Sequence, residues 1–295
     1  MDAGDLRVFD AVARLGGMSR AAAELNTVQS NVTARIRQLE AELGTALFHR
    51  HKAGVTLTDA GRRLLPYARR VHQALEDARR AVLDTGEPAG ALTIGSLETT
   101  AALRLSPILS DYVAAHPNVD LVLRTGTTCE LVERVLNREL EGAFVCGPVE
   151  HAELEAEVFF REQLVVLTAP GVTDLDALAE ADEQKIVVLR AGCSYRERLE
   201  VLLARRGVTR LRRLEFGTLE AIVGCVAAGL GLTLLPKALI GPVWRDSRVR
   251  VHELPPAEAA VETLFIRRRD AYLSSALAAF LRAARPSPLC AEAAD

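Results

Sequence analysis

The spacing of the apolar residues changes near residue 90, and this change restricts the chain to folds with more than one domain. Before residue 90 the apolar residues recur every three or four positions, which is typical of amphipathic helices. After it, short apolar runs alternate with helical stretches, as in α/β units with parallel strands. The length of 295 residues also predicts about two domains. We therefore predict an α/β protein with an all-α head.

The first part of the chain carries the pattern of a helix-turn-helix. Apolar residues at helical spacing predict a first helix that ends at Gly16, and a short second helix follows over 20–25 with Ser19 as its predicted N-cap. After a break at residues 26–27, a third helix is predicted to end at Gly44. Its apolar stripe consists of Val28, Val32, Ile36, Leu39 and Leu43. Two helices joined by a tight turn place the second one in the major groove of DNA.

The polar face of the predicted third helix carries side chains that hydrogen-bond base edges and phosphates. They are Gln29, Ser30, Asn31, Thr33, Arg35 and Arg37. Two short apolar runs around a basic turn then predict a β-wing, in which Arg50 and Lys52 reach backbone phosphates. Taken alone, the polar face is equally well explained as the solvated face of a small helical subdomain. The order of helix, turn, helix and basic wing favours double-stranded DNA as the partner and predicts a winged helix-turn-helix head.

A long helix is predicted over 59–83, with Thr58 as its N-cap. Its apolar residues repeat with heptad-like spacing, although Pro66 lies in its first turns. This seam consists of Leu64, Ala68, Val71, Leu75, Ala78 and Val82. Such a seam packs on its own subunit or pairs with a second copy, and we favour a homodimer because the helix lies between two domains. The predicted domains are residues 1–58, a linker helix with its hinge over 59–90, and residues 91–295.

Charge and cysteine usage exclude several classes of protein. The net charge is −3, but the two parts of the chain differ in sign. Residues 1–90 are mildly basic, with 13 Lys and Arg and 11 Asp and Glu, whereas the remainder is acidic, with 23 Lys and Arg and 28 Asp and Glu. A nucleic-acid partner therefore fits the first part only. The five cysteines form no C-x-x-C pair, which argues against a zinc site or a disulfide scaffold. The start of the chain has no signal-peptide pattern, and no run of about 18 apolar residues occurs, so we expect a cytoplasmic protein without membrane contact.

The motifs of common enzyme classes are missing from the sequence. It contains no G-x-S-x-G, no H-E-x-x-H, no P-loop and no G-x-G-x-x-G after a strand, so we expect no catalysis, cofactor or metal. The competing class is a small-molecule binding or transport module with a helical head. A thiol redox sensor is a further alternative because Cys129, Cys146 and Cys193 lie near predicted loops or strand ends, but a buried structural cysteine is the commoner state.

Several segments resemble the winged helix-turn-helix of LysR-type transcriptional regulators. They are S-R-A-A-A-x-L from Ser19, the run from Val28 to Glu40, E-L-G-x-x-L-F-x-R from Glu42, and L-T-x-A-G from Leu57. The run G-L-G-L-T-L-L-P over 229–236 resembles a segment of that family's carboxy-terminal lobe, so the resemblance spans nearly the whole chain. A Pro or Ala commonly follows the recognition-helix Gln in the family, whereas Ser30 and Asn31 stand here.

The resemblance implies a periplasmic-binding-protein-like effector domain that binds a small molecule between two α/β lobes. Lobe 1 is expected at about 91–160 and 268–285, and lobe 2 at about 161–267. Ligands of open α/β sheets lie where loops follow strands and helices begin. The candidate effector contacts are Ser96, Glu98, Thr99, Thr100, Thr127, Thr128, Gly147, Cys193, Ser194 and Thr218. Their neutral donors suit a small anion such as a carboxylate, although each hydroxyl is equally well explained as a helix N-cap.

The expected mechanism is that of a dimer, or a tetramer built as a pair of dimers, whose recognition helices bind two half-sites. Closure of the lobes on the effector is expected to change which arrangement of the subunits is populated. Through that arrangement the effector would alter the bend in the DNA and the contact with RNA polymerase. The sequence thus predicts a transcriptional regulator.

Overall fold

The computed structural model describes residues 1–51, 54–175, 178, 183–189, 191–240 and 249–285. The chain divides into two compact units, Met1–Thr85 and Gly86–Asp295. The first unit is helical apart from a β-hairpin, and the second mixes helices with sheets, so the predicted fold class is confirmed. Within the described ranges, the helices are too short or too polar to cross a bilayer.

The first unit begins with three helices, continues into a hairpin and ends in a long helix. Its elements are α1 (Ala3–Leu15), α2 (Met18–Glu24), α3 (Gln29–Leu43), β1 (Phe48–His51), β2 (Gly54–Leu57) and α4 (Asp59–Leu83). A capping box between Asp2 and Asp5 starts α1, and Gly16 ends it in the left-handed conformation, at φ 65°, that glycine adopts without strain. β1 and β2 pair antiparallel as the predicted wing. Lys52, a predicted phosphate contact of that wing, lies outside the described residues.

The core of the first unit is built on the apolar face of α3. Val32, Ile36 and Leu39 are buried in one cluster with residues of α1, α2 and α4. The predicted stripe is wrong at both ends: Val28 is exposed because it is the N-cap of α3, and Leu43 is exposed at the last residue of the helix. The middle of α3 therefore holds the helix in the fold, and its first turn is left at the surface.

Ser19 is not the N-cap of α2, contrary to the prediction. The helix begins at Met18, directly after Gly17, and no side chain caps it. Glycine is tolerated at an N-cap because its backbone amide stays accessible to solvent partners. The hydroxyl of Ser19 is consequently not needed by its own helix and contacts α3 instead.

The long helix α4 has the predicted bounds, and Thr58 caps it by accepting a backbone hydrogen bond in the first turn. Of the predicted seam, Ala68 is buried and Leu64 half-buried in the core of the first unit. The later seam residues are exposed: Val71, Leu75 and Val82. Only the amino-terminal half of the seam is therefore used for packing within the unit.

The second unit is made of sheets covered by helices. Its strands are β3 (Gly90–Ser96), β4 (Val119–Thr125), β5 (Gly142–Cys146), β6 (Leu154–Thr168), β7 (Gln184–Val188), β8 (Leu211–Glu215), β9 (Thr233–Pro236), β10 (Arg250–Glu253) and β11 (Ala260–Arg268). Its helices are α5 (Glu98–Thr100), α6 (Ser106–Ala115), α7 (Thr128–Leu136), α8 (Ser194–Arg205), α9 (Leu219–Ala227), α10 (Pro256–Ala259) and α11 (Ser275–Ala284). A π-helical turn, Ala101–Leu105, separates α5 from α6.

The strand directions are mixed. The larger sheet has the order β10-β6-β11-β5-β3-β4, and β9 also pairs with β6. β3 is parallel to β4 and β5, and β7 is parallel to β8 in a separate sheet. β6 pairs antiparallel with β9, β10 and β11, and β11 is also antiparallel to β5, so the prediction of parallel strands is wrong for these pairs. An apolar run predicts a buried strand but not its direction, because direction depends on the connections between strands.

The strand β6 joins the two lobes of the second unit. Its residues 154–163 pair with β11, and its residues 164–167 pair with β9. We define the first lobe as β3, β4, β5 and β11 with α6, α7 and α11, and the second lobe as β7 to β10 with α8 and α9. The sequence-based boundaries put most of β11 in lobe 2, whereas residues 263–266 of this strand pair with β5 of the first lobe. β6 therefore forms a continuous connection beneath both lobes.

Candidate functional site

The first turn of α3 presents polar side chains to the solvent. Gln29, Ser30 and Asn31 are all exposed, and no side chain caps the helix. Two of these side chains are held by neighbours. Ser19 Oγ donates to Gln29 Oε1 at 3.0 Å, and Asn31 Nδ2 donates to Thr27 Oγ1 at 3.0 Å. This end of α3 therefore carries ordered amide groups at the surface.

The other candidate residues of α3 have differing surroundings. Arg37 is exposed, and Thr33 is half-buried. Arg35 is half-buried as well, and its guanidinium nitrogens lie 3.3 Å from Asp5 Oδ1 and 3.6 Å from Asp2 Oδ2, at the start of α1. Arg35 is thus engaged in holding α3 to α1, which sequence spacing alone did not indicate.

The wing is tied to α3 through Glu40. Glu40 Oε1 accepts from the backbone N–H of Leu47 at 2.8 Å and of Phe48 at 3.3 Å. Glu40 Oε2 lies 3.5 Å from a guanidinium nitrogen of Arg50, an exposed residue of β1. One carboxylate therefore fixes the start of the wing relative to α3 and orients the basic side chain on it.

A second candidate site is a cavity in the second unit that is partly open to solvent. It lies where α5, α7 and α8 begin. Half of the predicted effector contacts line it: Glu98, Thr99, Thr127, Cys193 and Ser194. The structure thus brings loops from both lobes together around one space, as expected for a ligand beyond the ends of strands.

The other predicted contacts are not in the cavity wall, because local bonds engage their polar groups or the fold buries them. Ser96 is buried and donates to the backbone of Leu97, and Thr100 is buried in α5. Thr128 Oγ1 accepts from Ser194 Oγ at 3.0 Å, a hydrogen bond that joins the two lobes. The Gly147 carbonyl accepts from Arg198 at 3.1 Å. Thr218 caps α9.

Sequence reasoning missed several residues that complete the wall. They are Leu97, Thr125, Gly126, Cys146, Leu189, Tyr195, Phe216 and Gly217. Most of them directly precede or follow a predicted contact, so extending each predicted loop by one residue would have found them. Leu189 and Phe216 directly follow the adjacent strands β7 and β8, and only the parallel pairing of these strands brings them side by side.

The electrostatics of the cavity are dominated by neutral donors. Thr99 Oγ1 is buried and has no hydrogen-bond partner among the residues that the structure describes. The Tyr195 hydroxyl lies close to Thr99, and burial raises the pKa of Tyr195, so the phenol stays protonated. The first turn of α8 faces the same space and favours negative charge there, whereas the start of α7 is already capped by the Glu130 carboxylate, which accepts from the backbone N–H of Thr127 at 2.9 Å. Glu98 supplies a negative charge to the wall.

The cysteines of the second unit are free thiols in the described part of the chain. Burial raises the pKa of Cys146 and of Cys193, which keeps both protonated near neutral pH. Cys129 is exposed. Because the thiolate is the reactive form, the raised pKa values argue against the redox-sensor alternative for the two buried thiols.

Both units match known families. Residues 3–62 match the family described as "Bacterial regulatory helix-turn-helix protein, lysR family", and residues 85–287 match "LysR substrate binding domain". The chain belongs to the LysR family of transcriptional regulators. An uncharacterized HTH-type transcriptional regulator of Bacillus subtilis, YusT, is 48% identical over 286 residues, which cover 97% of this chain and 96% of YusT.

Solved LysR-family structures share the fold. Full-length OxyR from Pseudomonas aeruginosa superposes with a TM-score of 0.74 at 21% identity, covering 98% of this chain and 96% of OxyR. The regulator CbnR, solved in complex with its target DNA, gives a TM-score of 0.62 at 24% identity, covering 96% of this chain and 99% of CbnR. The matched families are transcriptional regulators, so the prediction that the chain is no enzyme is confirmed, and the helix-turn-helix match decides against a transport module.

The two arginines of α3 are expected to respond differently to removal. Arg35→Ala breaks the ion pairs to α1 and is expected to lower the free energy of unfolding of the first unit by about 1 kcal/mol, as for a partly exposed pair. Arg37→Ala, the matched control, is expected to leave the free energy of unfolding unchanged. It should reduce the slope of log affinity for duplex DNA against log salt concentration by about one, the effect of losing one phosphate contact. Urea unfolding by circular dichroism and fluorescence anisotropy with duplex DNA measure the two effects. An unchanged unfolding curve for Arg35→Ala would contradict its structural role.

The thiols are expected to differ in reactivity. In the folded regulator at about pH 8, iodoacetamide should alkylate Cys129 and spare Cys146 and Cys193. A raised pKa means that thiolate forms only at higher pH than in a free cysteine, so protection should persist into the alkaline range. Peptide mass spectrometry gives the labelled fraction at each site, and all three should react in urea. Rapid labelling of Cys146 in the folded protein would contradict its burial.

Proposed function

We propose that this regulator binds its operator as a dimer through the first turn of α3 and the wing, and that a small carboxylate in the cavity between the lobes controls that binding. The observation that carries the effector proposal is the buried Thr99 hydroxyl, which faces the cavity and has no hydrogen-bond partner among the described residues. An unpaired buried donor is costly, and a ligand oxygen offsets that cost.

The roles in DNA binding follow from the surroundings of each side chain. The exposed polar residues of the first turns read base edges: Gln29, Ser30, Asn31 and Thr33. The basic residues Arg37, Arg50 and Lys52 bind phosphates and position the helix. Arg35 supports the site through α1 and does not itself read bases, because its guanidinium is engaged by Asp5.

The carboxylate is proposed to lie at the first turn of α8, beside the start of α7. The N-terminus of α8 and the hydroxyl of Thr99 then donate to its oxygens. Ser194 donates to Thr128, so an effector there contacts the hydrogen bond that joins the lobes. Glu98 lies in the same wall, and a negative charge there favours an effector that carries a hydroxyl or amino group away from its carboxylate. Thr100, Ser96, Gly147 and Thr218 are proposed to shape the wall from behind without touching the effector.

The dimer is proposed to form through the carboxy-terminal half of α4. Val71, Leu75 and Val82 lie on one face of this helix at heptad-like spacing and are exposed. Pairing with the same helix of a second copy buries them and brings two heads to two half-sites. Two such dimers form a tetramer in this proposal, and the effector acts by changing the bend of the bound DNA and the access of RNA polymerase.

The effector proposal is tested with small mono- and dicarboxylates and their methyl esters. We expect at least one carboxylate, but not its ester, to raise the unfolding temperature in a thermal shift assay. Thr99→Val keeps the side-chain shape and removes the hydroxyl, and it is expected to weaken binding of that carboxylate about tenfold, measured by calorimetry. Thr218→Val is the matched control, because it removes a hydroxyl that caps α9 outside the cavity. Unaltered affinity in Thr99→Val, or stabilisation by ester and acid alike, would refute the carboxylate site.

The dimer proposal is tested by placing a charge on the exposed seam. Leu75→Glu is expected to weaken dimerisation at least tenfold, because pairing would bury an uncompensated carboxylate. Arg70→Glu introduces a carboxylate at an exposed position of α4 outside the seam and serves as the control. Sedimentation velocity over a concentration series measures the dimer, and circular dichroism confirms that the helix remains. A dimer of unchanged strength in Leu75→Glu would exclude this face as the interface.

A further inference from the structure

The helix that begins at the cavity wall contains a π-helical turn. Thr99 of α5 lines the cavity, and the chain continues as a helix through the turn Ala101–Leu105 into α6. The turn is closed by the backbone N–H of Ser106, which donates to the carbonyl of Ala101 five positions back. Turns of this kind are rare and occur frequently at functional sites. This one starts two residues after Thr99, so a displacement of Thr99 reaches it through the helix backbone.

The side chains of the π-helical turn contact both lobes. Leu105 is fully buried in a cluster of the first lobe, together with residues of β3, β5 and α11. Leu103, two positions earlier, is partly buried against a cluster of the second lobe that includes residues of α9 and β9. Because apolar side chains of one turn pack on two lobes, a movement of either lobe relative to the other acts on this turn.

Arg104, which stands between these two leucines, binds the strand that joins the lobes. Its Nε donates to Glu162 Oε1 at 2.8 Å, and its Nη2 donates to Glu162 Oε2 at 3.2 Å, so the contact is bidentate. The Glu162 side chain is 6% exposed, whereas that of Arg104 is 41% exposed. A buried carboxylate that loses its cation is strongly disfavoured, which keeps this pair together when neighbouring elements move.

Glu162 lies where β6 passes from one lobe to the other. Gln163 is the last residue of β6 that pairs with β11, and Leu164 is the first that pairs with β9. The strand thus changes partners directly after the residue that follows Glu162. The contact with Arg104 therefore ties the π-helical turn to the changeover between the lobes, and not to the middle of either lobe.

We propose that Arg104 and Glu162 are positioning residues that couple the cavity to the connection between the lobes. A change at Thr99 moves the π-helical turn, and the contact between Arg104 and Glu162 transmits that movement to β6. This coupling rests on the proposed function in one respect, namely that an effector binds at Thr99. It gives a physical route by which occupancy of the cavity alters the relation between the lobes.

The test is a double-mutant cycle that needs no effector, because a larger side chain at residue 99 changes the cavity wall instead. Thr99→Leu is made in the full-length protein with and without the ion pair, and hydrogen exchange of the backbone amides of 160–167 is measured by mass spectrometry of peptides. With the pair intact, Thr99→Leu is expected to change the exchange rate of this segment by about threefold or more. Once the pair is removed, the same substitution should change that rate by less than about 1.5-fold, since the two sites are no longer coupled.

The ion pair is removed by Arg104→Met together with Glu162→Met. Replacing both partners leaves no buried unpaired charge, so the fold is expected to be retained, and circular dichroism checks this. Arg104→Lys keeps the positive charge beside Glu162 and loses the bidentate geometry, so its response to Thr99→Leu is expected to be at most about half that of the wild type. Should the double variant fail to fold, Arg104→Lys decides, and a response as large as in the wild type would overturn the proposal.

The matched control is the neighbouring ion pair between Arg161 of β6 and Glu262 of β11, in which Arg161 Nε lies 3.2 Å from Glu262 Oε1. Both side chains are exposed, and Arg161 directly precedes Glu162 in the strand. Arg161→Met together with Glu262→Met should therefore leave the response to Thr99→Leu as large as in the wild type. This control separates transmission through Arg104 from a general loosening of β6.

The outcomes for the coupling and for the proposed function are distinguishable. An equal response to Thr99→Leu in the wild type and in the variant without the Arg104–Glu162 pair would overturn the coupling. So would a loss of response in the Arg161 and Glu262 control that is as large as in the test variant. A carboxylate panel in which no compound binds would refute the effector class, but it would leave the result of the exchange cycle unchanged, because that cycle contains no ligand.

Discussion

The burial of the middle of α3 is the contact on which the DNA-binding end depends. Val32, Ile36 and Leu39 are almost fully inaccessible, and burying each such side chain contributes about 1.5–3 kcal/mol. Because the apolar face of α3 is packed in the core, its opposite, polar face has a fixed orientation relative to the rest of the first unit. Glu40, one residue beyond the buried segment, then fixes the wing by accepting two backbone N–H groups. The surface that we propose to contact DNA is thus set by packing on its far side.

A comparable constraint organises the second unit. β6 pairs with β11 along one part and with β9 along the next, so one strand carries the sheets of both lobes. The helices α7 and α8 both begin at the cavity, and the hydrogen bond from Ser194 to Thr128 connects their first residues. At the proposed site a ligand would contact both lobes at once, and it would in this way bias the relation between them.

The sequence predicted the bounds of helices and strands better than it predicted which residues each side chain contacts. The bounds of α4 and the wing follow from local pattern, since N-caps and helical periodicity act over a few residues. Arg35 shows where sequence prediction stops. Its spacing groups it with the arginines predicted to contact DNA, but its guanidinium forms an ion pair with Asp5, thirty positions earlier in the chain. The hydroxyls behave likewise. Thr99 and Thr218 both begin helices in the sequence, yet one faces a cavity and the other only caps its helix.

The amino-acid sequence by itself determined the two-part organisation, the helix-turn-helix with its wing, and the family, because these depend on periodicity and short motifs. Only the tertiary structure decided which hydroxyls face the cavity, which strands run antiparallel, and that Ser19 of one helix holds Gln29 of the next. The physical reason is the separation along the chain over which each kind of interaction acts. Hydrogen bonding within a helix couples residues three or four positions apart, whereas a binding site is assembled by contacts between residues distant in the chain, and those contacts exist only once the cores have packed.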